Sequence, residues 1–412
     1  MKIGILTYHA ACNFGAFLQL LSTVENVRNR GHEPIVINWI PKDFEEDYNK
    51  RSPKDVLELY SSLRNQYLHM TKVCRTSKDI AKAIEEEGIN GVIVGSDAVI
   101  QHHTVRERIH FPCRRIVYFH RMTSDRLFPN AFWGDFNDYL QKPVPIAMIS
   151  GASVDSKYLY IKNRTKKNMK NRILSFSYFS VRDEWSKNMI EYLTDGIVKP
   201  DVTPDPVFAF NLNVARYIPT KDEILEKFKL PENYILLSFK KSRNVSVNQK
   251  WIDDFQQLAK GQGLSCVRLP YPDVDSFGEI EYDIKKDISP LEWYALIKYS
   301  QGYVGNNMHP IVVSLHNAVP FFSFDNYGIK IENGKPTNGE SSKVYQILRV
   351  AKMEKNRVFA NSVNYCPPAS DDVFDCIRKF DREKVTAFSE EYLIKYQSMM
   401  EAAFNAIENN VK

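Results

Sequence analysis

Short apolar runs, each about as long as one strand and each followed by an amphipathic stretch, recur along this chain in two series. That alternation limits the fold more than any other feature, because strands interleaved with helices pair side by side in parallel sheets. "KIGILTY" reads as a buried strand, and residues 15–29 follow as a helix with Phe17, Leu18, Leu21, Val24 and Val27 on one side, closed by Gly31. "PIVINWI" (34–40), "GVIVGSD" (91–97), "PIAMISG" (145–151) and "YFSVRD" (178–183) are further strands. Helices are expected near 53–63, 78–87, 166–177 and 184–194, with Ser77 placed to cap the second. The pattern restarts with strands at 233–239, 264–270, 302–305 and 319–324 and helices at 248–262, 289–300, 310–317, 342–351 and 371–379.

At 412 residues the chain exceeds one comfortable core. The expected layout is a Rossmann-like domain over 1–212, with a basic, aromatic insertion at about 98–142, and a second Rossmann-like domain over 213–380. The two are expected to face a cleft. A last helix over 381–412, striped with Phe388, Tyr392, Tyr396, Met399, Met400, Ala403 and Phe404, is expected to pack back on the body.

The formal net charge of +5 suits anionic small molecules or a membrane surface and gives no case for nucleic acid. Six cysteines, at 12, 74, 113, 266, 366 and 376, show neither CxxC pairing nor zinc spacing, so reduced thiols and no metal are expected. The start lacks a signal-peptide pattern and no apolar run approaches the ~20 residues of a membrane span. A cytoplasmic protein, peripheral to a membrane at most, is the expectation. GxGxxG after the first strand, GxxxxGK[ST], HExxH and GxSxG are all missing. "DVD" at 273–275 reads as a solvated turn rather than a metal motif.

What is present is a set of polar clusters at strand ends: "YHAACNFGA", "GSD" at 95–97, "ISGAS" at 149–153, "SVRD" at 180–183, "SFKKSR" at 238–243 and "GNNMHP" at 305–310. The first poses the question most sharply. Asn13 and Gly15 are ordinary turn residues, yet the start of a first helix in an open α/β sheet is also an anion site. His9, in the same loop, reads as structural.

In order, these clusters resemble the polysaccharide pyruvyl transferase family. "KIGILTYHAACNFGAFLQL" is close to the family's opening strand, Asn-aromatic-Gly-Ala turn and Leu-Gln helix. "VIVGSDAVI" resembles its Gly-Ser-Asp strand end, with Ala98 where Gln is common and Ile100 where Trp is common. "FSVRDEWS", "TPDPVFAF", the block from Ser289 to Asn326, and "SSKVYQIL" at 341–348 resemble its later motifs. Asn307 stands where many members carry Arg, and Pro310 where a Gly usually follows the His.

The resemblance implies a glycosyltransferase-B-like fold and, without a cofactor, transfer of the enolpyruvyl carbons of phosphoenolpyruvate onto two hydroxyls of one sugar. The product is a cyclic ketal, made during assembly of bacterial surface or capsular polysaccharide, and the sugar acceptor is expected to be lipid-linked. Such chemistry needs an acid for the methylene carbon, a base for the attacking hydroxyl and cations for carboxylate and phosphate. His309 and Asp97 suit the catalytic roles. Asn13, Gly15, Ser96, Arg182, Lys240, Lys241 and Asn307 suit binding, with Arg243 beside them; for Arg182 an ion pair with Asp183 or Glu184 is the competing account.

The segment 101–126 holds six Arg against Glu107 and Asp125, interleaved with Phe and Tyr. It fits a membrane surface or lipid diphosphate, and a homodimer face nearly as well. Two rival functions stay open: a nucleotide-sugar-dependent glycosyltransferase, and a non-catalytic carbohydrate-binding protein.

Overall fold

The computed structural model describes residues 1–411 except 114–115, 154–156, 242–245, 273, 286–287 and 333–334; the side chains of 110–116 and 332 are also outside the description. The chain packs as two compact units, the first built from Met1–Ala11, Gln19–Pro206 and Ile394–Lys412, the second from Cys12–Leu18 and Val207–Leu393. Each contains one six-stranded sheet, all of whose pairings are parallel.

In the first unit the strands are β1 (Lys2–Leu6), β2 (Glu33–Val36), β3 (Gly91–Asp97), β4 (Ile146–Gly151), β5 (Tyr178–Val181) and β6 (Asp201–Val202), in spatial order β2-β1-β3-β4-β5-β6. The second has β7 (Tyr234–Ser238), β8 (Ser265–Arg268), β9 (Tyr282–Asp283), β10 (Gly302–Gly305), β11 (Phe321–Asp325) and β12 (Arg357–Phe359), in order β9-β8-β7-β10-β11-β12. The strand order therefore reverses between β1 and β3 in one sheet and between β7 and β10 in the other. In open parallel sheets such switch points leave a crevice at the carboxyl ends of the strands, where ligands bind.

The helices that matter below are α1 (Phe14–Asn29), α2 (Ser77–Glu87), α3 (Glu184–Leu193), α4 (Pro290–Tyr299), α5 (Met308–His316), α6 (Lys343–Val350) and α7 (Arg382–Val411). Local chemistry fixes their starts. Ser289 and Glu292 form a reciprocal capping box with Pro290 in the first turn of α4. The cap of α2 is Thr76, boxed with Asp79, rather than Ser77, which is already helical and donates its hydroxyl to Asp135. The strand expected over 34–40 ends at Val36, and a helix at Lys42–Arg51 is one the sequence pattern did not signal: it is mostly polar, with Phe44 alone buried. No helix among the described residues is long and apolar enough to cross a membrane.

Residues 98–142 divide into two parts. Phe132, Trp133 and Phe136 are almost completely buried in the core beside Ile146, Met169 and Leu193, so this end of the expected insertion is interior packing. The earlier part forms a short helix (Val105–Arg108) and a two-stranded antiparallel hairpin (Ile109–Cys113 with Ile116–Phe119). In α7 the stripe is used as packing: Phe388 and Tyr392 meet Phe208 in the second unit, while Ile407 lies against Gly91 in the first.

At the end of α5, His316 Nε2 accepts the backbone N–H of Asn211 at 3.3 Å. Burial, reinforced by the charge of Lys298, pushes its pKa down to about 4. An unfolded His titrates near ~6.5, so between those values the unfolded chain binds the extra proton and stability falls as pH falls. The expected loss, complete by about pH 4, is about 3 kcal/mol from this group. Thermal melts from neutral to acid pH should show it, and His316→Gln should flatten that part of the curve; an unchanged slope in the variant would assign the loss to other groups.

Candidate functional site

At the switch point of the second sheet, β10 ends at Gly305 and runs directly into α5 through Asn306, Asn307 and Met308. A Cβ on Gly305 would sit 2.3 Å from the Ser238 carbonyl oxygen, so only glycine allows β10 to close against β7 here. Asn306 is buried and ties three segments together: its amide donates to Ser246 Oγ at 2.8 Å and to the Phe324 carbonyl at 2.7 Å, and its oxygen accepts the Lys240 N–H at 3.2 Å. Asn307 caps α5, its side-chain oxygen accepting the Met308 N–H at 3.0 Å and the Tyr327 hydroxyl at 3.1 Å. His309 follows in the first turn and is 5% exposed.

The first turn of α1 belongs to this same unit. Asn13 accepts the Ala16 N–H at 3.1 Å and so caps α1. Phe14 stacks on Trp293 of α4, with ring centroids 5.2 Å apart. Gly15 then lies against the His309 ring: a Cβ there would be 2.1 Å from both Cγ and Nδ1 of the imidazole. The loop of Asn13 and Gly15 and the turn of His309, almost 300 positions apart in sequence, are thereby one place. Two helix N-termini, the positive ends of the α1 and α5 dipoles, meet around one imidazole.

Lysines flank the turn. Lys240 holds its ammonium 5.1 Å from the centre of the Tyr271 ring, and Lys343, the first residue of α6, holds its own 4.5 Å from the Tyr327 ring. Lys241 is exposed, and its backbone N–H donates to the Asp275 carbonyl at 2.8 Å. Arg243 lies outside the described residues. Lys343 and Tyr327 were not singled out from sequence; the signal was the Ser-Ser-Lys helix start at 341–343, whose place beside Asn307 is visible only in three dimensions.

The first unit has its own cluster at the ends of β3, β4 and β5. Ser96 is buried and donates its hydroxyl to the Ser150 carbonyl at 3.1 Å, so it buttresses the neighbouring strand. Asp97 is half-buried, with φ of +97°, and its carboxylate accepts the Ala98 N–H at 2.8 Å. A non-glycine residue held at positive φ stores strain that surrounding structure must offset, and such residues gather at functional sites. Ser150, on the adjacent strand, has φ of +46°.

Arg182 pairs neither with Glu184 nor directly with Asp183, which caps α3 by accepting the Ser186 N–H at 2.7 Å. Its guanidinium meets Asp205 at 3.2 Å, with the side chains 8% and 2% exposed. Burial opposes the charge, but Asp205, Asp97 and Asp183 together hold the Arg182 pKa above its ordinary value. Asp205 also accepts the Gln19 amide, so the Asp-Pro motif near 205 and the Leu-Gln of α1 converge on one carboxylate. His9 is structural: its ring nitrogens contact Asn38 Oδ1 at 2.8 Å and the Thr7 carbonyl at 3.2 Å, and burial lowers its pKa. Beside it the Tyr8 hydroxyl donates to Asp125 at 3.0 Å, an acid whose pKa burial raises. Among the described residues no group of three or more His, Cys, Asp or Glu is arranged to hold a metal.

Two parallel α/β sheets, each with polar side chains at its switch point, define a glycosyltransferase-B-like fold. The fold is shared, at very low identity, with solved sugar-nucleotide enzymes. UDP-GlcNAc 2-epimerase from Methanocaldococcus jannaschii is 11% identical over 96% of this chain and 100% of that one, with a TM-score of 0.52. The 2-epimerase from Rickettsia bellii is 9% identical over 99% and 97%, also at 0.52. An alpha-glucosyltransferase solved with UDP and DNA is 9% identical over 99% of each chain, at 0.50. No curated protein sequence matches the chain. The sequence profile of the polysaccharide pyruvyl transferase family matches residues 13–327, and the chain belongs to that family.

Two substitutions test this geometry. Gly15→Ala favours a helix intrinsically by up to about 1 kcal/mol, yet its methyl must displace the imidazole. Turnover should fall on the order of 100-fold with the far-ultraviolet spectrum unchanged, the scale expected for an ångström of misplacement; wild-type turnover in the variant would mean that the ring position is unimportant. Asp205→Asn leaves the Arg182 charge buried without its carboxylate and should destabilise the chain by about 3–5 kcal/mol in denaturant unfolding.

Proposed function

We propose that this pyruvyl transferase moves the enolpyruvyl unit of phosphoenolpyruvate onto two hydroxyls of a sugar in a lipid-linked oligosaccharide, closing a cyclic ketal in the assembly of bacterial surface or capsular polysaccharide. The work would take place at the cytoplasmic face of the membrane. The observation that carries the reading is the imidazole of His309 packed on the first turn of α1, where helix N-termini favour an anionic donor beside a group able to give a proton.

His309 is assigned as the acid that protonates the methylene carbon, making the adjacent carbon electrophilic. A sugar oxygen bonds to that carbon as a base takes its proton, and phosphate leaves with the electrons of its C–O bond. The second hydroxyl then closes the ring and gives up its proton. Of the two hydroxyl protons released, one balances the proton placed on the new methyl group and the other leaves with phosphate. Lys240, Lys241 and Asn307 are assigned to the donor's anionic groups and the acceptor, with Asn13 and Gly15 shaping the binding surface. Ser96, bonded to the Ser150 carbonyl, and Arg182, buried against Asp205, are assigned to holding the strand ends of the first unit. Lys343, 4.5 Å from the Tyr327 ring whose hydroxyl bonds Asn307, offers positive charge next to a position where many relatives carry Arg.

Incubation with phosphoenolpyruvate and lipid-linked sugars should yield a pyruvyl ketal by mass spectrometry, with phosphate released. Phosphoenolpyruvate should raise the melting temperature by mass action. His309→Ala should lower turnover on the order of 10²–10⁴-fold, and His309→Gln, which cannot supply a proton, nearly as much. An active Gln variant would remove His309 from proton transfer. A melting shift with a UDP-sugar and none with phosphoenolpyruvate would favour a nucleotide-sugar glycosyltransferase, whose fold precedent is the UDP-bound glucosyltransferase.

A further inference from the structure

One face of the first unit gathers apolar and cationic side chains at the surface. The short helix Val105–Arg108, the paired strands Ile109–Cys113 and Ile116–Phe119, and the turn Tyr158–Tyr160 adjoin one another, tied by the Lys157 N–H donating to Glu107 at 3.0 Å. Val117 and Leu159 are each 63% exposed and Tyr118 57%, with Val105, Phe119 and Tyr160 also on the outside. Among them stand cations: the Arg106 guanidinium is 4.2 Å from the Tyr160 ring centre and Arg108 is 4.4 Å from that of Phe119. Between the short helix and the turn opens a groove of about 740 Å³ whose lining includes Val105, Arg106, Ile109, Tyr160 and Lys162. The one acid of the short helix, Glu107, is held by the N–H and hydroxyl of Thr104 and by the Lys157 backbone N–H, and Arg106, Arg108 and Lys162 outweigh its charge, so the face is net positive.

Single exposed apolar residues need no explanation, but a group of them set among cations marks an interaction surface. A second copy of the chain fits it poorly. A two-fold interface brings the same patch against itself, so Arg106, Arg108 and Lys162 would face their own counterparts. A polar sugar would gain nothing from Val117 or Leu159. An anionic bilayer satisfies both halves, with lipid phosphates for the arginines and lysine and the headgroup–acyl boundary for the valine, leucine and aromatic rings.

We propose that this face docks the enzyme on an anionic phospholipid bilayer. The proposal rests on the reading that the acceptor is lipid-linked only in its purpose, and it can fail separately. None of its residues is assigned to catalysis or substrate binding.

The test is co-sedimentation of the full chain with vesicles of equal parts phosphatidylglycerol and phosphatidylcholine, against pure phosphatidylcholine. The wild type should bind the anionic vesicles alone, and more weakly as salt rises. Arg106→Gln, Arg108→Gln and Lys162→Gln combined should weaken binding about a hundredfold, at about fivefold per cation near the surface. Val117→Ser with Leu159→Ser should weaken it independently. Both variants should melt as the wild type does and keep full ketal formation on a short soluble sugar. Absence of wild-type binding, or undiminished binding by the charge variant, overturns the proposal, and retained activity on the soluble sugar shows that the pyruvyl-transfer reading survives it. A wild-type dimer in light scattering that becomes monomeric in the charge variant also overturns it, in favour of an interface between copies.

Discussion

The approach of α1 to α5 is the contact on which the candidate site depends. Gly15 has no Cβ, and the imidazole of His309 occupies the space a Cβ would take. Because Phe14 is stacked on Trp293 and Asn13 caps the helix from outside, the first turn of α1 has little freedom to move away from the ring. The same turn is the positive end of the α1 dipole, so the steric fit and the local field come from one packing event. Any side chain at position 15 would separate them.

Buried charge plays the corresponding part at the other strand ends. Asp205 is shared by Arg182 and Gln19, and in the second unit Asp325 takes Arg357 at 2.6 Å and the Ser342 hydroxyl at 2.6 Å. Burial raises the Asp325 pKa against the pull of Arg357, a sign that desolvation is the larger effect. Pairs of this kind contribute little net stability, but breaking one leaves an uncompensated charge in the interior. Their value here is positional: the first fixes the loop after β6 against α1, and the second fixes the start of α6, and with it Lys343, next to Tyr327.

The stretch after Asp97 shows how one composition serves two ends. Its aromatic residues near 128–136 complete the first unit's core, where Phe128 and Trp133 meet edge to face at 5.2 Å. Those near 117–119 lie outside, beside arginines. Nothing in residue type separates the two groups, since an aromatic ring is equally at home in a core and at a wet interface. Arg114 and Arg115, the centre of the basic run in sequence, lie outside the described residues.

By itself the sequence determined the order of elements, the two-sheet α/β class and the family, because apolar periodicity, caps and motif spacing are local properties. "GVIVGSD" became a strand over 91–97 as its pattern demanded, and Ser289, Pro290 and Glu292 started α4 as their chemistry required. The tertiary structure alone decided which polar residues face one another. Arg182, read either as a grip on the ligand or as a partner of Asp183 or Glu184, is bound to Asp205, 23 positions away, because β5 and the loop after β6 lie side by side. Ser96, read as a ligand contact, is turned into the sheet. Gly15 and His309 are an unremarkable turn residue and a lone histidine until a helix start is packed on a strand end. Such contacts depend on how whole elements stack, and no local signal carries that information.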